Sequence, residues 1–288
     1  MKTHLDCIPC FVRQTLDAAK ALELEDDTTS MLLRRILGLL QQLDWSLPPP
    51  VIGRDIHRVI REVTNDKDPY LRAKLADTQT ALKLLPEAEA TIAHSDDPFL
   101  TAVKFAIAGN AIDLGAKTGV DTDVNKAFHS ALARPVDKTS VRRLAKKIEA
   151  AQKVLFLADN VGEIVFDRPF LEQIGSDKVT VAVRGAPVIN DATRDDAMRS
   201  GLTERFRVIS NGSDTPGTWL CDCSKEFLHQ FESADLIIAK GQGNYESLSD
   251  EDHEIFFLFL TKCSMLSEKL DVPIDTYVVQ DGGHRRER

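Results

Sequence analysis

The run Val154-Leu155-Phe156-Leu157-Ala158 is apolar throughout and ends abruptly in Asp159-Asn160-Val161-Gly162-Glu163. A short, continuous apolar run closed by polar punctuation is the pattern of a strand buried on both faces, as in a parallel sheet covered by helices. The polar cluster then falls at the carboxyl end of the strand, where open α/β sheets bind their ligands. The pattern recurs in Val179-Thr180-Val181-Ala182-Val183-Arg184, which leads into Gly185-Ala186-Pro187-Val188-Ile189-Asn190-Asp191. Two neighbouring strand ends would present Asp159, Asn160 and Asp191 to one crevice. Two carboxylates and an amide are hard oxygen donors, suited to Mg²⁺ or Mn²⁺.

The rest of the chain divides around residue 150. Before it, apolar residues recur at helical spacing, as in Ile52, Ile56, Val59, Ile60 and Val63. Asp97-Pro98 reads as a helix start, since proline fits a first turn. After it, strands are expected at 153–158, 178–183, 205–209, 235–239 and 274–279. Helices are expected between them at 167–173, 191–200, 224–231 and 253–270. The expected fold class is α/β, a Rossmann-like, mainly parallel sheet with crossover helices, plus an N-terminal all-helical region. The expected domains are residues 1–150 and 151–288.

A net charge of −9 argues against a nucleic-acid surface. No apolar run is long enough to cross a bilayer, and Met1-Lys2-Thr3-His4-Leu5-Asp6-Cys7 lacks the apolar core of a signal peptide, so the expected location is cytoplasmic. Oligomeric state is open. Five cysteines, an odd number, do not suggest a disulfide framework. Cys7 and Cys10 have metal-ligand spacing. They read either as reduced thiols or as a second metal or redox site joined by Cys263 across the fold.

Each candidate site residue has a plainer alternative. Asp159 and Asn160 can form a turn, and Asp191 can cap the helix after it. Glu163, four residues beyond Asp159, can orient a water or hold a sugar hydroxyl, or simply favour a helix start by its charge. In Ala239-Lys240-Gly241-Gln242-Gly243-Asn244-Tyr245-Glu246, glycines permit close backbone approach and positive φ. There Lys240 and the following amides can meet a phosphate, or Lys240 can form a surface salt bridge. Asn110 and Asp113, three apart on a helix, can wall a pocket or cap the helix end. Arg184 can hold a phosphate or sugar oxygen. The seven histidines show no metal spacing. No Gly-x-Ser-x-Gly elbow, Walker A loop or complete Gly-x-Gly-x-x-Gly occurs.

Taken together, Asp6-Cys7-Ile8-Pro9-Cys10, Ala108-Gly109-Asn110-Ala111-Ile112-Asp113, Ala158-Asp159-Asn160-Val161-Gly162-Glu163, Arg184 to Asp191 and Lys240 to Glu246 resemble the damage-control phosphatases (domain of unknown function 89). The ordered pieces span nearly the whole chain. The likeness is to the compact prokaryotic and archaeal branch with an N-terminal Cys-x-x-Cys and a Gly-Asn-x-Glu loop. Cys221 and Cys223 fall outside the pattern. The resemblance implies a helical region packed on a Rossmann-like domain. It implies a divalent cation, Mg²⁺, Mn²⁺, Co²⁺ or Ni²⁺, bound through Asp159, Asn160 and Asp191. It also implies hydrolysis of phosphate monoesters of small metabolites, sugar phosphates or damaged phosphometabolites. Asn110 and Asp113 match its substrate contacts and Lys240 its phosphate contact. Arg184, Asn244 and Glu246 are assigned to the substrate side with them. Asp159, Asp191 and Glu163 are the expected catalytic residues, with water or Asp159 as nucleophile. Two rivals stand beside this reading, an S-adenosylmethionine-dependent carboxyl methyltransferase and a non-catalytic metabolite-binding module.

Overall fold

The computed structural model describes residues 1–109 and 132–282. Asn110 and Asp113 lie outside the described residues. Three helices, α1 (Cys7–Ala21), α2 (Asp26–Gln41) and α3 (Pro49–Thr64), form the first layer. The prolines that interrupt the helical pattern at 48–50 open α3, because a first turn has no use for the missing N–H. Asn65 closes α3 in the left-handed region, at φ 50°. Phe11, Leu32, Ile36, Ile52, Ile56 and Ile60 form the common core of these helices.

Next come α4 (Leu71–Ala93), α5 (Pro98–Ala108) and α6 (Lys138–Ala150). Asp97 caps α5 by accepting from the Leu100 amide at 3.0 Å, and Asp137 caps α6 through Thr139 and Ser140.

From residue 154 strands and helices alternate. They are β1 (Val154–Leu157), α7 (Glu163–Ile174), β2 (Val179–Val183), α8 (Arg194–Arg199), β3 (Arg207–Ser210) and α9 (Lys225–Ser233). Then follow β4 (Leu236–Lys240), α10 (Gly241–Leu248), β5 (Ile255–Leu260), α11 (Ser264–Leu270) and β6 (Tyr277–Asp281). The sheet order is β3-β2-β1-β4-β5-β6. Its first five strands are parallel and β6 is antiparallel to β5. The doubly wound, mainly parallel class expected from the sequence is the one observed.

One expected element is wrong. Residues 253–270, read as a helix, contain strand β5 and only then helix α11. All six residues of β5 are buried. Phe256, Leu258 and Leu260 face one core, and Ile255, Phe257 and Phe259 the other. Periodicity cannot separate such an all-apolar run from a buried helix.

Side chains alternate across the sheet and build two cores. Val154, Phe156, Val181 and Ile238 point to the face covered by α4, α5, α6 and α7. Leu155, Leu157, Ile237 and Ala239 point to the face covered by α9, α10 and α11 through Phe227, Phe231, Tyr245 and Leu266. Complete burial of a phenylalanine such as Phe156 contributes roughly 1.5–3 kcal/mol. The change in sequence pattern at residue 150 is therefore not where the cores divide. Helices α4 to α6 belong to the sheet's core, and α1 to α3 have their own. No helix among the described residues is long and apolar enough to cross a membrane.

Candidate active site

Strand order reverses between β1 and β4, since the chain winds outward from β1 through β2 to β3 and then returns to β4 on its other side. That is where an open α/β sheet leaves a crevice at its carboxyl edge. Asp159 follows β1 there, Lys240 ends β4, and Gly241 opens α10. Gly241 has φ +79°, and a Cβ on it would overlap the Asp159 carboxylate. The glycine-rich segment is thus the first turn of a helix laid against Asp159.

The loop after β2 is stitched to the residues after β1. Asn160 and Asp191 form an isolated antiparallel bridge. The Val161 amide donates to the Asn190 carbonyl at 2.9 Å, and the Ala192 amide to the Asp159 carbonyl at 2.8 Å. Asp159, Asn160 and Asp191 are consequently drawn together at the ends of β1 and β2. The alternative role of Asp191 as a helix cap is not seen. Thr193 caps α8 instead, in a reciprocal capping box with Asp196.

Arg184 lies between the two carboxylates. Its Nε donates to Asp191 Oδ2 at 2.6 Å, and its Nη2 stands 3.6 Å from Asp159 Oδ1. Burial raises the Asp191 carboxyl above its ordinary range. The Arg184 charge opposes that rise and the Asp159 charge adds to it.

Lys240 does not form the surface salt bridge that its sequence context allows. It is wholly buried, and it donates to the Ala106 carbonyl at 2.6 Å, to Asp167 Oδ1 at 2.7 Å and to Glu163 Oε1. All three ammonium protons have acceptors. Glu163 is the first residue of α7, and Asp167 sits one turn later on the same face. Burial raises both carboxyls, and Lys240 partly restrains the rise. The Asn160 amide nitrogen reaches Asp159 Oδ2 at 3.1 Å and Glu163 Oε2 at 3.4 Å, which joins the two clusters.

Asn244 and Glu246 lie on α10. Asn244 is buried, donates to the Lys240 carbonyl at 2.7 Å and accepts from the Thr218 hydroxyl at 2.8 Å. Glu246 accepts from Gln242 at 2.7 Å, and burial pushes its carboxyl up to about 7.

The sequence reading missed the loop after β3, residues 211–219. It packs backbone on backbone against its neighbours. A Cβ on Gly185 would collide with Gly212, and one on Gly243 with the Pro216 carbonyl. Arg58 and Arg61 of α3 grip the same loop through Asp214 at 2.5 Å each, and Arg61 also donates to the Pro187 carbonyl at 2.7 Å. The signal was present as turn chemistry in Asn211-Gly212-Ser213-Asp214-Thr215-Pro216-Gly217.

Cys7 opens α1, Cys10 lies one turn further, and Cys263 precedes α11. Gln242 Nε2 lies 3.7 Å from Cys263 Sγ. Burial pushes the Cys7 thiol up, and the charges of Glu246, Cys10 and Cys263 add to the rise after a backbone bond opposes it. No disulfide joins any of the five cysteines. Among the described residues, no three His, Cys, Asp or Glu side chains are gathered to hold a metal ion by themselves. A cation at the strand ends would need the Asn160 amide and ligands from outside the chain.

A model of the damage-control phosphatase ARMT1-like domain matches residues 3–278. The chain belongs to this family. It is 32% identical to a damage-control phosphatase of Archaeoglobus fulgidus over 287 residues, covering 97% of this chain and 99% of that protein. A damage-control phosphatase of Pyrococcus horikoshii is 32% identical over 279 residues, with 95% and 96% covered. An uncharacterized protein of Methanocaldococcus jannaschii is 35% identical over 292 residues, with 97% and 95% covered. The crystal structure of a DUF89 family protein from P. horikoshii superposes with a TM-score of 0.87 at 31% identity, covering 98% of this chain and 99% of that one. The ARMT1-like fold thus extends over both the helical layers and the sheet.

Proposed function

We propose that the chain is a divalent-cation-dependent phosphatase acting on phosphate monoesters of small metabolites, including sugar phosphates. The observation that carries this reading is the pair of buried carboxylates, Asp159 and Asp191, at the point where the strand order reverses. Burial beside Asp159 disfavours the charged form of Asp191, and a cation held by the two would favour it. The donors are hard oxygens, with Asn160 beside them, and fit Mg²⁺, Mn²⁺, Co²⁺ or Ni²⁺. When bound, the cation supplies Lewis acidity that draws charge from the phosphoryl oxygens.

The chain's own groups divide the remaining work. Arg184 offers a buried guanidinium to the phosphate, a shape that matches its oxygens. Glu163, with its carboxyl raised by burial, is placed beside Asn160 to handle a proton on the leaving-group side. Lys240 holds Glu163 and Asp167 in place from behind. The relatives named damage-control phosphatases support the activity.

A phosphate-release assay over a metabolite panel, repeated with each cation, tests the proposal. Hydrolysis of p-nitrophenyl phosphate should require the cation and should vanish in Asp191→Ala with the circular dichroism spectrum retained. Undiminished turnover in that variant would sink the assignment. Metal-independent binding of S-adenosylmethionine would point to methyl transfer instead.

A further inference from the structure

Arg184 is an unusual group to find at the centre of a cation site. It is 2% exposed, its Nε is bonded to Asp191 at 2.6 Å, and its Nη2 has no hydrogen-bond partner among the described residues. At 3.6 Å from Asp159 Oδ1, Nη2 is close enough to feel that charge but too far to bond it. A buried N–H without an acceptor calls for an explanation, and an oxyanion bound there would supply one. The Nε bond fixes the plane of the guanidinium, so the Nη2 edge has a defined direction.

We propose that Arg184 serves as the internal counter-ion of the cation site and as the clamp that takes the substrate phosphate once the cation is in place. The inference rests on the phosphatase reading and deepens it. Without a cation, the guanidinium offsets the two carboxylates it touches. With a cation held by Asp159 and Asp191, the guanidinium would no longer be their counter-ion, and the two positive charges would repel. The weakened attraction to Asp159 leaves Nη2 for an incoming oxyanion, while the Nε bond to Asp191 continues to orient the group. Phosphate binds poorly to the cation-free site, because two carboxylates face it. Binding is therefore ordered, cation first and phosphate second.

Two opposite effects of one substitution test this. Arg184→Met removes a positive charge next to the cation. Mn²⁺ binding, followed by electron paramagnetic resonance of the free ion, should tighten about tenfold. Inorganic phosphate binding to the Mn²⁺-loaded protein, followed by calorimetry, should weaken about tenfold or more. Wild-type protein without Mn²⁺ should bind phosphate weakly. Arg184→Lys keeps the charge and loses the fork, so it should hold Mn²⁺ like wild type and bind phosphate less well. It carries the test if the methionine variant does not fold. Unchanged or weaker Mn²⁺ binding in Arg184→Met, or undiminished phosphate binding in either variant, overturns the proposal. Failure of wild-type protein to bind Mn²⁺ at all would instead overturn the phosphatase reading beneath it.

Discussion

Lys240, the last residue of β4, and Glu163, the first of α7, form an ion pair that solvent does not reach. Asp167 completes the cluster at 2.7 Å. Its energetics are asymmetric, because removing one partner leaves an unpaired charge in the interior. Lys240→Met should lower stability by about 3–5 kcal/mol in urea unfolding. Adding Glu163→Gln and Asp167→Asn should restore most of that loss. A Lys240→Met protein as stable as wild type would show that the cluster contributes nothing to holding β4 against α7.

Gly241 sets the distance between α10 and Asp159. Gly241→Ala adds a methyl group where the Asp159 carboxylate lies, at a backbone angle that disfavours any side chain. Cation-induced thermal stabilisation should be lost while the sheet remains folded. Scanning calorimetry with and without Mn²⁺ decides, and an undiminished cation-dependent shift would contradict the packing described.

His57 makes the fold acid-sensitive. Burial, with the Arg61 charge adding, pushes its imidazole down to about 3. Its Nδ1 shares a hydrogen bond with the Tyr70 hydroxyl at 3.1 Å. The unfolded chain takes up this proton near pH 6.5, well before the folded one. The contribution to stability is therefore complete above pH 6.5 and is lost as pH falls toward 3, by at most about 1.4 kcal/mol per unit. Urea titrations at pH 7 and pH 5 should show a smaller difference for His57→Phe than for wild type.

The cysteines should separate by accessibility. Cys10 and Cys221 are exposed. Burial raises the thiols of Cys7, Cys223 and Cys263, that of Cys223 to about 12. Labelling with a disulfide reagent at pH 8 should modify two thiols rapidly and three slowly. If Zn²⁺ protects Cys7, Cys10 and Cys263 together, they form a second metal site. Equal labelling with and without Zn²⁺ leaves them as reduced thiols.

The strand ends were legible because their chemistry is local. The run from Val154 to Glu163 carries a strand, its end and the first residue of α7 within ten residues, and the run from Val179 to Asp191 carries a strand and its polar end. What remained hidden depended on distant partners. Nothing near Lys240 in the chain indicates that Glu163 and Asp167, more than seventy residues earlier, enclose it. The grip of Arg61 on Pro187 spans 126 residues and is equally invisible locally. Strand β5 was missed for the opposite reason, since an unbroken apolar run gives no periodicity to read.

The two-sided burial of the sheet has a practical meaning for anyone reshaping this protein. Among the described residues, helices α4 to α6 cover that face of the sheet together with α7 and α8. A fragment starting near residue 151 would strip α4, α5 and α6 from the core that holds Phe156, Val181 and Ile238 and should aggregate rather than fold. Grafting a foreign cap onto the α/β half would likewise have to begin at the boundary after α3, where the apolar cores themselves part.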